Sequence, residues 1–210
     1  MLNGGKLEMQ FDFFDIPGSI MHFAINDPSA FILGRLKEHH SYTYFHSLRV
    51  AHYSLELAKM MGLYRLEQQV LVRSALLHDV GKLFVAREIL DKKERLNEEE
   101  LRILRLHPQF GFEIVQEMVN PGLVDLDVLL YHHENLDGTG YPFGLTGKFL
   151  SLPVRIVRLA DSFDAMTTVR AYNQPKSLEQ AMNELVRWSG EHFDLEVVKI
   201  FEQYIYYRSM

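Results

Sequence analysis

The feature of this sequence that most restricts its fold is an apolar run that ends in two adjacent metal-binding side chains. Residues 70–77 are mostly apolar, His78-Asp79 follows directly, and Gly81-Lys82 comes just behind. Such a run predicts a helix at the centre of the core, which carries the polar pair to a buried position. Burial of an imidazole and a carboxylate is unfavourable unless a partner satisfies both. A metal ion would do so, and a hydrogen-bonded core pair is the alternative that this dipeptide alone leaves open.

The rest of the chain has helical periodicity and no strong strand pattern, which predicts an all-α fold. The predicted helices cover residues 28–36, 43–61, 65–79, a segment after the capping box Asn97/Glu100, a continuation from Gly111, 123–133, 153–169, and two segments that begin near Ser177 and Leu195. A glycine-rich loop extends from Asp137 to about Leu150. Residues 1–27 lack a sustained period, so they are predicted to be a short irregular arm without an assigned function. Residues 28–210 are predicted to form one domain.

Composition excludes several kinds of protein. The 22 basic and 28 acidic residues give a net charge of −6, which argues against binding of polymeric nucleic acid through a basic surface. The absence of cysteine excludes disulfides and thiolate metal sites. No apolar run approaches the ~20 residues of a membrane span and no leader pattern is present, so the chain is predicted to be cytoplasmic and not membrane-bound.

Seven histidines and aspartates are candidate metal ligands. They lie at predicted helix ends or on apolar stripes: His46, His78, Asp79, His107, His132, His133 and Asp161. Each alone has an ordinary structural explanation as a core histidine or a salt-bridge partner. However, neighbours in a helix point ~100° apart, so His132 and His133 cannot easily bind one ion together. A cluster of two ions ~3.5–4 Å apart gives both room, and imidazole with carboxylate suits iron, manganese or zinc.

The order of the motifs resembles the HD-GYP domain, the branch of the HD metal-dependent phosphohydrolases whose members degrade the bacterial messenger cyclic di-GMP. The matching segments are His46-Ser47-Leu48-Arg49, His78-Asp79-Val80-Gly81-Lys82, His107-Pro108 with Gly111, His132-His133-Glu134, the loop Asp137-Gly138-Thr139-Gly140-Tyr141-Pro142, and Asp161-Ser162-Phe163-Asp164-Ala165. The resemblance covers roughly residues 28–207 and implies an HD-domain helical bundle.

The resemblance also implies roles for individual residues. One metal is held by His46, His78, Asp79 and Asp161, and Asp79 bridges to a second that His107, His132 and His133 complete. The substrate phosphate is contacted by Lys82, and the substrate is further bound by Arg170 and by the loop residues Gly140, Tyr141 and Pro142. The loop also meets partner proteins, while Glu134 and Asp164 orient metal ligands.

Two positions depart from the family pattern. Tyr42 stands where some members have a glutamate that supports a third metal, so two metals, iron or manganese, are expected. Asn173 stands where some members have a basic residue, and whether the nearby Lys176 substitutes for it is open.

The expected activity is hydrolysis of cyclic di-GMP to the linear dinucleotide, GMP or both, with Asp79 and Lys82 as catalytic residues. A water between two metals, with its pKa lowered toward ~7, would be the nucleophile. Two alternatives stay open: a phosphohydrolase of another cyclic or simple nucleotide, and a non-catalytic module that binds the messenger or a protein partner. A homodimer through the terminal helices is a further hypothesis.

Overall fold

The computed structural model describes residues 16–120, 122–169 and 174–208, and this part of the chain contains helices and no strand, which confirms the all-α class. The helices are α1 Gly18–Asn26, α2 Ala30–His39, α3 Ser41–Met60, α4 Arg65–Leu77, α5 Arg87–Leu90, α6 Glu98–Leu104, α7 His107–Met118, α8 Leu126–Tyr131, α9 Leu152–Thr167, α10 Leu178–Arg187 and α11 Leu195–Arg208. Short 3-10 turns cover Val80–Phe84 and Gly147–Phe149.

The core is built around α3, which packs against α4 on one side and α9 on another. Aromatic rings join α3 and α9 to the C-terminal helix: Tyr53 meets Phe163 and Phe201 edge to face, with centroids 5.2 and 5.8 Å apart. These three side chains are almost fully buried. Edge-to-face contacts of this kind add to the stabilisation from burial itself. The long helices therefore form a rigid frame, and the site residues sit at their ends and on their inner faces.

Two predicted helix starts are present as expected. Asn97 Oδ1 accepts from the Glu100 amide at 2.9 Å, and the Asn97 amide donates to Glu100 Oε2 at 2.8 Å. The equivalent pair at α10 is Ser177 with Gln180, at 3.1 and 3.0 Å. Each reciprocal pair satisfies two backbone donors that a helix start leaves open.

The irregular arm predicted for residues 1–27 is wrong for its second half, because residues 18–26 form α1. Ile20 and Ala24, one helical turn apart, are buried in the core. Nine residues with a single buried pair give too short a pattern to detect as a period. Residues 1–15 lie outside the described part of the chain.

Several boundaries also differ from the predictions. The helix expected to reach Asp79 ends at Leu77, and the one expected over 123–133 is only Leu126–Tyr131. α7 begins at His107 and not at Gly111, since proline lacks an amide donor and is accepted in a first helical turn. In the described part of the chain, none of the helices combines the length and the hydrophobicity that a membrane span requires.

Candidate metal centre

Three histidines of the site share one local setting, in which each follows the end of a helix and bonds back to that helix. Their Nδ1 atoms approach the carbonyl oxygen three positions earlier: His78 with Ala75 (2.7 Å), His107 with Leu104 (2.7 Å) and His132 with Leu129 (2.9 Å). A carbonyl only accepts, so Nδ1 carries the proton and donates it. In the neutral ring, Nε2 is then left with a lone pair. The ends of α4, α6 and α8 thus fix the orientation of three rings, and the Nε2 lone pair of each is available to a ligand.

His46 is oriented differently, because it lies within α3 and not at a helix end. Its Nδ1 donates to Asp164 Oδ2 at 2.6 Å, and Arg49 donates to both oxygens of the same carboxylate at 2.6 and 3.0 Å. Burial would raise the pKa of Asp164, but His46 and Arg49 hold it below its usual range. Nε2 of His46 faces Asp161 Oδ1 at 3.0 Å. These contacts support the prediction that Asp164 orients a metal ligand.

Asp79 lies between the two halves of the cluster, with one oxygen toward each. Oδ1 is 3.2 Å from His107 Nε2, whereas Oδ2 is 3.6 Å from His46 Nε2, 3.5 Å from His78 Nε2 and 2.6 Å from Lys82 Nζ. Burial alone would raise the pKa of Asp79, but Lys82, His78 and His107 hold it well below its usual range. The side chain is therefore a carboxylate with both oxygens available as ligands.

The structure brings all seven predicted metal ligands together. Two groups have ligand atoms within 4.8 Å of one another, and Asp79 belongs to both: His46, His78 and Asp79; Asp79, His107, His132 and His133. Asp161 joins the groups, since its Oδ1 is 3.0 Å from His46 Nε2 and its Oδ2 is 3.7 Å from His133 Nδ1. Six of the seven residues are buried and His133 is half-buried.

The chemistry of this donor set fits divalent metal ions. His107 Nε2 and His132 Nε2 are 3.2 Å apart although the tautomers above give both a lone pair. His78 Nε2 and Asp79 Oδ1 are buried and have no hydrogen-bond partner among the described residues. Burial, reinforced by the neighbouring histidines, holds the pKa values of His132 and His133 well below the usual range. Neutral imidazoles with converging lone pairs around a carboxylate are what a divalent cation requires.

A close approach of two backbone segments positions the second group. A Cβ added at Gly81 would lie 1.9 Å from the His107 carbonyl oxygen and 2.5 Å from the Gly111 amide nitrogen. Only glycine fits at that distance. The segment after Asp79 therefore packs directly on the first turn of α7, and this contact places His107 beside Asp79.

The glycine-rich loop folds back on the segment that carries His132 and His133. The Tyr141 ring stacks on His133 with centroids 4.6 Å apart and an interplanar angle of 22°. A Cβ at Gly140 would lie 2.4 Å from the Glu134 Cα. Gly140 and Tyr141 therefore lie at the half-buried side of the cluster, and Pro142 follows them in the chain.

Glu134 has a different role from the predicted one. Its buried carboxylate accepts three backbone amides of the loop, from Phe143 (2.7 Å), Gly144 (3.1 Å) and Leu145 (3.0 Å). None of its hydrogen bonds within the described residues goes to a metal ligand, so the prediction that Glu134 orients a ligand is corrected. Glu134 holds the loop in place instead.

The structure locates one of the two predicted substrate-binding cations, Lys82, and the lysine near the departure at Asn173. Lys82 lies at the cluster, bound to Asp79. Arg170 and Asn173 lie outside the described residues. Lys176 pairs with Glu184 of α10 at 3.2 Å and is therefore engaged away from the cluster.

Sequence reasoning missed a cavity of about 470 Å³ beside the cluster. Its wall includes His46 and Lys82 together with three further cations, Lys92, Lys93 and Arg95. The available signal was the charged run at residues 91–95, although such runs are usually solvated loop surface.

Known proteins resemble this chain in sequence. A family model described as an HD domain matches residues 30–197. A cyclic di-GMP phosphodiesterase of Pseudomonas aeruginosa is 36% identical over 192 residues, which cover 89% of this chain and 45% of that protein. A 3'3'-cGAMP-specific phosphodiesterase of Vibrio cholerae is 39% identical over 142 residues, 68% of this chain and 33% of that one. The chain spans less than half the length of these curated relatives.

A solved structure resembles the fold. An HDG"Y"P protein from Bdellovibrio bacteriovorus has a TM-score of 0.62 to this chain at 22% identity, over 77% of this chain and 52% of that one. At this identity the similarity concerns the fold alone.

Proposed function

This chain belongs to the HD domain family and carries the motifs of its HD-GYP branch, and on that premise we propose that it is a metal-dependent phosphodiesterase that hydrolyses cyclic di-GMP to the linear dinucleotide, GMP or both. The HD-domain bundle predicted from the motifs is confirmed by the family match over residues 30–197. The observation that carries the proposal is Asp79, whose two oxygens face two separate groups of histidines.

The proposed cofactors are two divalent ions, iron or manganese. One would be held by His46, His78, Asp79 and Asp161, and the other by Asp79, His107, His132 and His133. When bound, such ions act as Lewis acids that polarise the phosphoryl oxygens and offset the negative charge of the transition state.

The residues of the chain supply the remaining parts of the reaction. Lys82 presents its ammonium group both to Asp79 and to the adjoining cavity, so it offers fixed positive charge where the phosphoryl oxygens would lie. His78, His107 and His132 have committed their ring protons to backbone carbonyls. These histidines therefore cannot protonate the departing 3′ oxygen. That proton comes from Lys82 or from solvent.

The test combines metal analysis with an assay of turnover. Full-length protein purified anaerobically should contain about two iron or manganese ions per chain and should hydrolyse cyclic di-GMP. Asp79→Asn should lose metal and reduce turnover at least ~100-fold, because asparagine replaces one carboxylate oxygen by an amide nitrogen and removes the negative charge that both groups share. Asp127→Asn, at an exposed aspartate on α8, is the matched control. Full metal content and full activity in Asp79→Asn would refute the assignment.

A second candidate is hydrolysis of another cyclic dinucleotide, favoured by the similarity to the cGAMP-specific enzyme of Vibrio cholerae. Competition between cyclic di-GMP and 3'3'-cGAMP in one reaction would separate the two. Bound metal with binding but no turnover of either compound would favour the non-catalytic module. A protein partner on the glycine-rich loop and a homodimer stay predictions.

A further inference from the structure

We propose that the cavity beside Lys82 receives the second nucleotide of the cyclic dinucleotide, with the phosphate that is not being cleaved held by Lys93 and Arg95. The inference rests on the proposed function, because it assigns a subsite to the same substrate. A cyclic dinucleotide carries two phosphates, and the metal centre with Lys82 accounts for one of them. The second phosphate remains charged throughout the reaction and needs a cationic partner of its own.

The cavity is continuous with the metal centre. His46, a member of the first donor group, and Lys82, which touches Asp79, both form part of its wall. A substrate whose scissile phosphate lies at Lys82 would therefore extend into this space. The segment that carries Lys93 and Arg95 forms another part of the wall.

The positive charges of Lys93 and Arg95 are not neutralised by an ion pair within the described residues. Lys92 is paired with both oxygens of Glu100, each at 2.6 Å. Lys93 and Arg95 are exposed, and in the part of the chain that the structure describes neither has a carboxylate within 4.0 Å. Glu94 is the one acid among the described residues that line the cavity. In a chain with a net charge of −6, this local excess of cations marks a site for an anion.

Contacts on both sides of Lys93 and Arg95 hold this segment, so the two cations have defined positions in the cavity wall. Asp91 Oδ1 lies 3.2 Å from His40 Nε2, and His40 caps the helix that carries His46. Lys92, next to Asp91, binds Glu100, and beyond Arg95 the capping box of α6 begins at Asn97. Anchoring lowers the conformational entropy that the segment would lose on binding a ligand.

The remaining wall offers a surface for the nucleobase. It is mostly apolar, with one aromatic side chain, and includes Tyr42, Ile89, Leu90, Leu96, Leu101 and Leu104. Aromatic side chains stack on bases without requiring a particular base. The cations Lys93 and Arg95 suit the phosphate of a nucleotide, and the apolar and aromatic wall suits its base. Tyr42, which departs from the family's glutamate, would then contact the base.

The experiment compares two substrates on the full-length, metal-loaded protein. Cyclic di-GMP has the second phosphate, whereas bis(p-nitrophenyl) phosphate has a single phosphodiester and nothing to place at Lys93 and Arg95. For Lys93→Ala/Arg95→Ala, the ratio of kcat/KM for cyclic di-GMP to kcat/KM for the single ester should fall at least ~10-fold, as loss of charge-assisted hydrogen bonds predicts. Partial loss of metal or folding lowers both values together and leaves the ratio intact.

Controls and binding data make each outcome decisive. Lys93→Arg/Arg95→Lys should restore the ratio to within ~3-fold of the wild-type value, and Lys199→Ala/Arg65→Ala, at exposed cations elsewhere, should not change it. An unchanged ratio in the double alanine variant overturns the subsite and leaves the proposed activity intact. If the wild-type protein binds cyclic di-GMP without cleaving it, the proposed activity fails, and a rise in Kd of ~10-fold in the variant still supports the subsite. Absence of binding to the wild-type protein refutes both.

Discussion

Replacement of Gly81 by alanine should damage both the stability and the metal content of this protein. The added Cβ would lie 1.9 Å from the His107 carbonyl oxygen and 2.5 Å from the Gly111 amide nitrogen. Both are backbone atoms, so no side-chain rotation relieves the overlap. To reach the 3.4 Å at which ordinary contact begins, the two segments must separate by about 1.5 Å.

The size of the effect follows from that separation. Overpacking in a core costs ~1–3 kcal/mol, and a backbone-on-backbone overlap belongs at the upper end, ~3 kcal/mol. At ~2–4 °C per kcal/mol for a domain of this size, Tm should fall by ~6–12 °C. His107 would also move away from Asp79 by more than the ~0.2 Å that a metal site tolerates. The group containing His107 should lose its ion, so that metal content falls from about two to about one per chain.

Two other glycines supply the controls for this measurement. Gly34 lies on an exposed position of α2 with no atom within 4 Å of an added Cβ, so Gly34→Ala should raise stability by up to ~1 kcal/mol. At Gly111 the nearest atom is 3.3 Å away, so Gly111→Ala should cost less than Gly81→Ala. Thermal unfolding and metal analysis of the three variants provide the assay. A Gly81→Ala protein with a Tm within 2 °C of the wild-type value and with full metal content would refute the reasoning.

Two further predictions concern a titrating histidine and the loop. Burial of His52, opposed by Glu56 and reinforced by Arg208 and Lys59, lowers its pKa to about 4. Because the unfolded chain gains this proton near pH 6.5 and the folded protein only near pH 4, stability should fall by on the order of 2–3 kcal/mol as the pH decreases across that window. Urea unfolding at pH 7, 5.5 and 4.5 should show a shallower dependence in His52→Gln, and equal dependence in both proteins would contradict the prediction. Glu134→Gln should weaken the three bonds to the loop by ~2 kcal/mol in total and speed amide exchange at Phe143, Gly144 and Leu145, while Glu113→Gln, at an exposed position, should not.

The sequence predicted the cluster well because its ligands are tied to motifs with fixed spacing. His78 and Asp79 follow a buried apolar run, and the structure places them beside the five other candidate ligands. The role of Glu134 was mistaken because its partners are backbone amides, which any sequence would provide. Lys93 and Arg95 were missed for a related reason. Their proposed role depends on the residues that line the same cavity, and these come from other parts of the chain. α1 was missed because a helix of nine residues with two buried side chains shows too little helical periodicity to be recognised.

The bonds from His78, His107 and His132 to the carbonyls behind them have a consequence for affinity. A free histidine on a helix surface must give up ring rotation when it coordinates an ion, and that lost entropy weakens binding. Here each ring is already fixed through its Nδ1 donor, so the rotational freedom is lost when the helices form. The same bonds connect the last turns of α4, α6 and α8 to the donor atoms. An ion that binds the group containing His107 and His132 in the folded chain only, at 100 times its Kd, would stabilise the ends of α6 and α8 together by ~2.7 kcal/mol, as mass action requires.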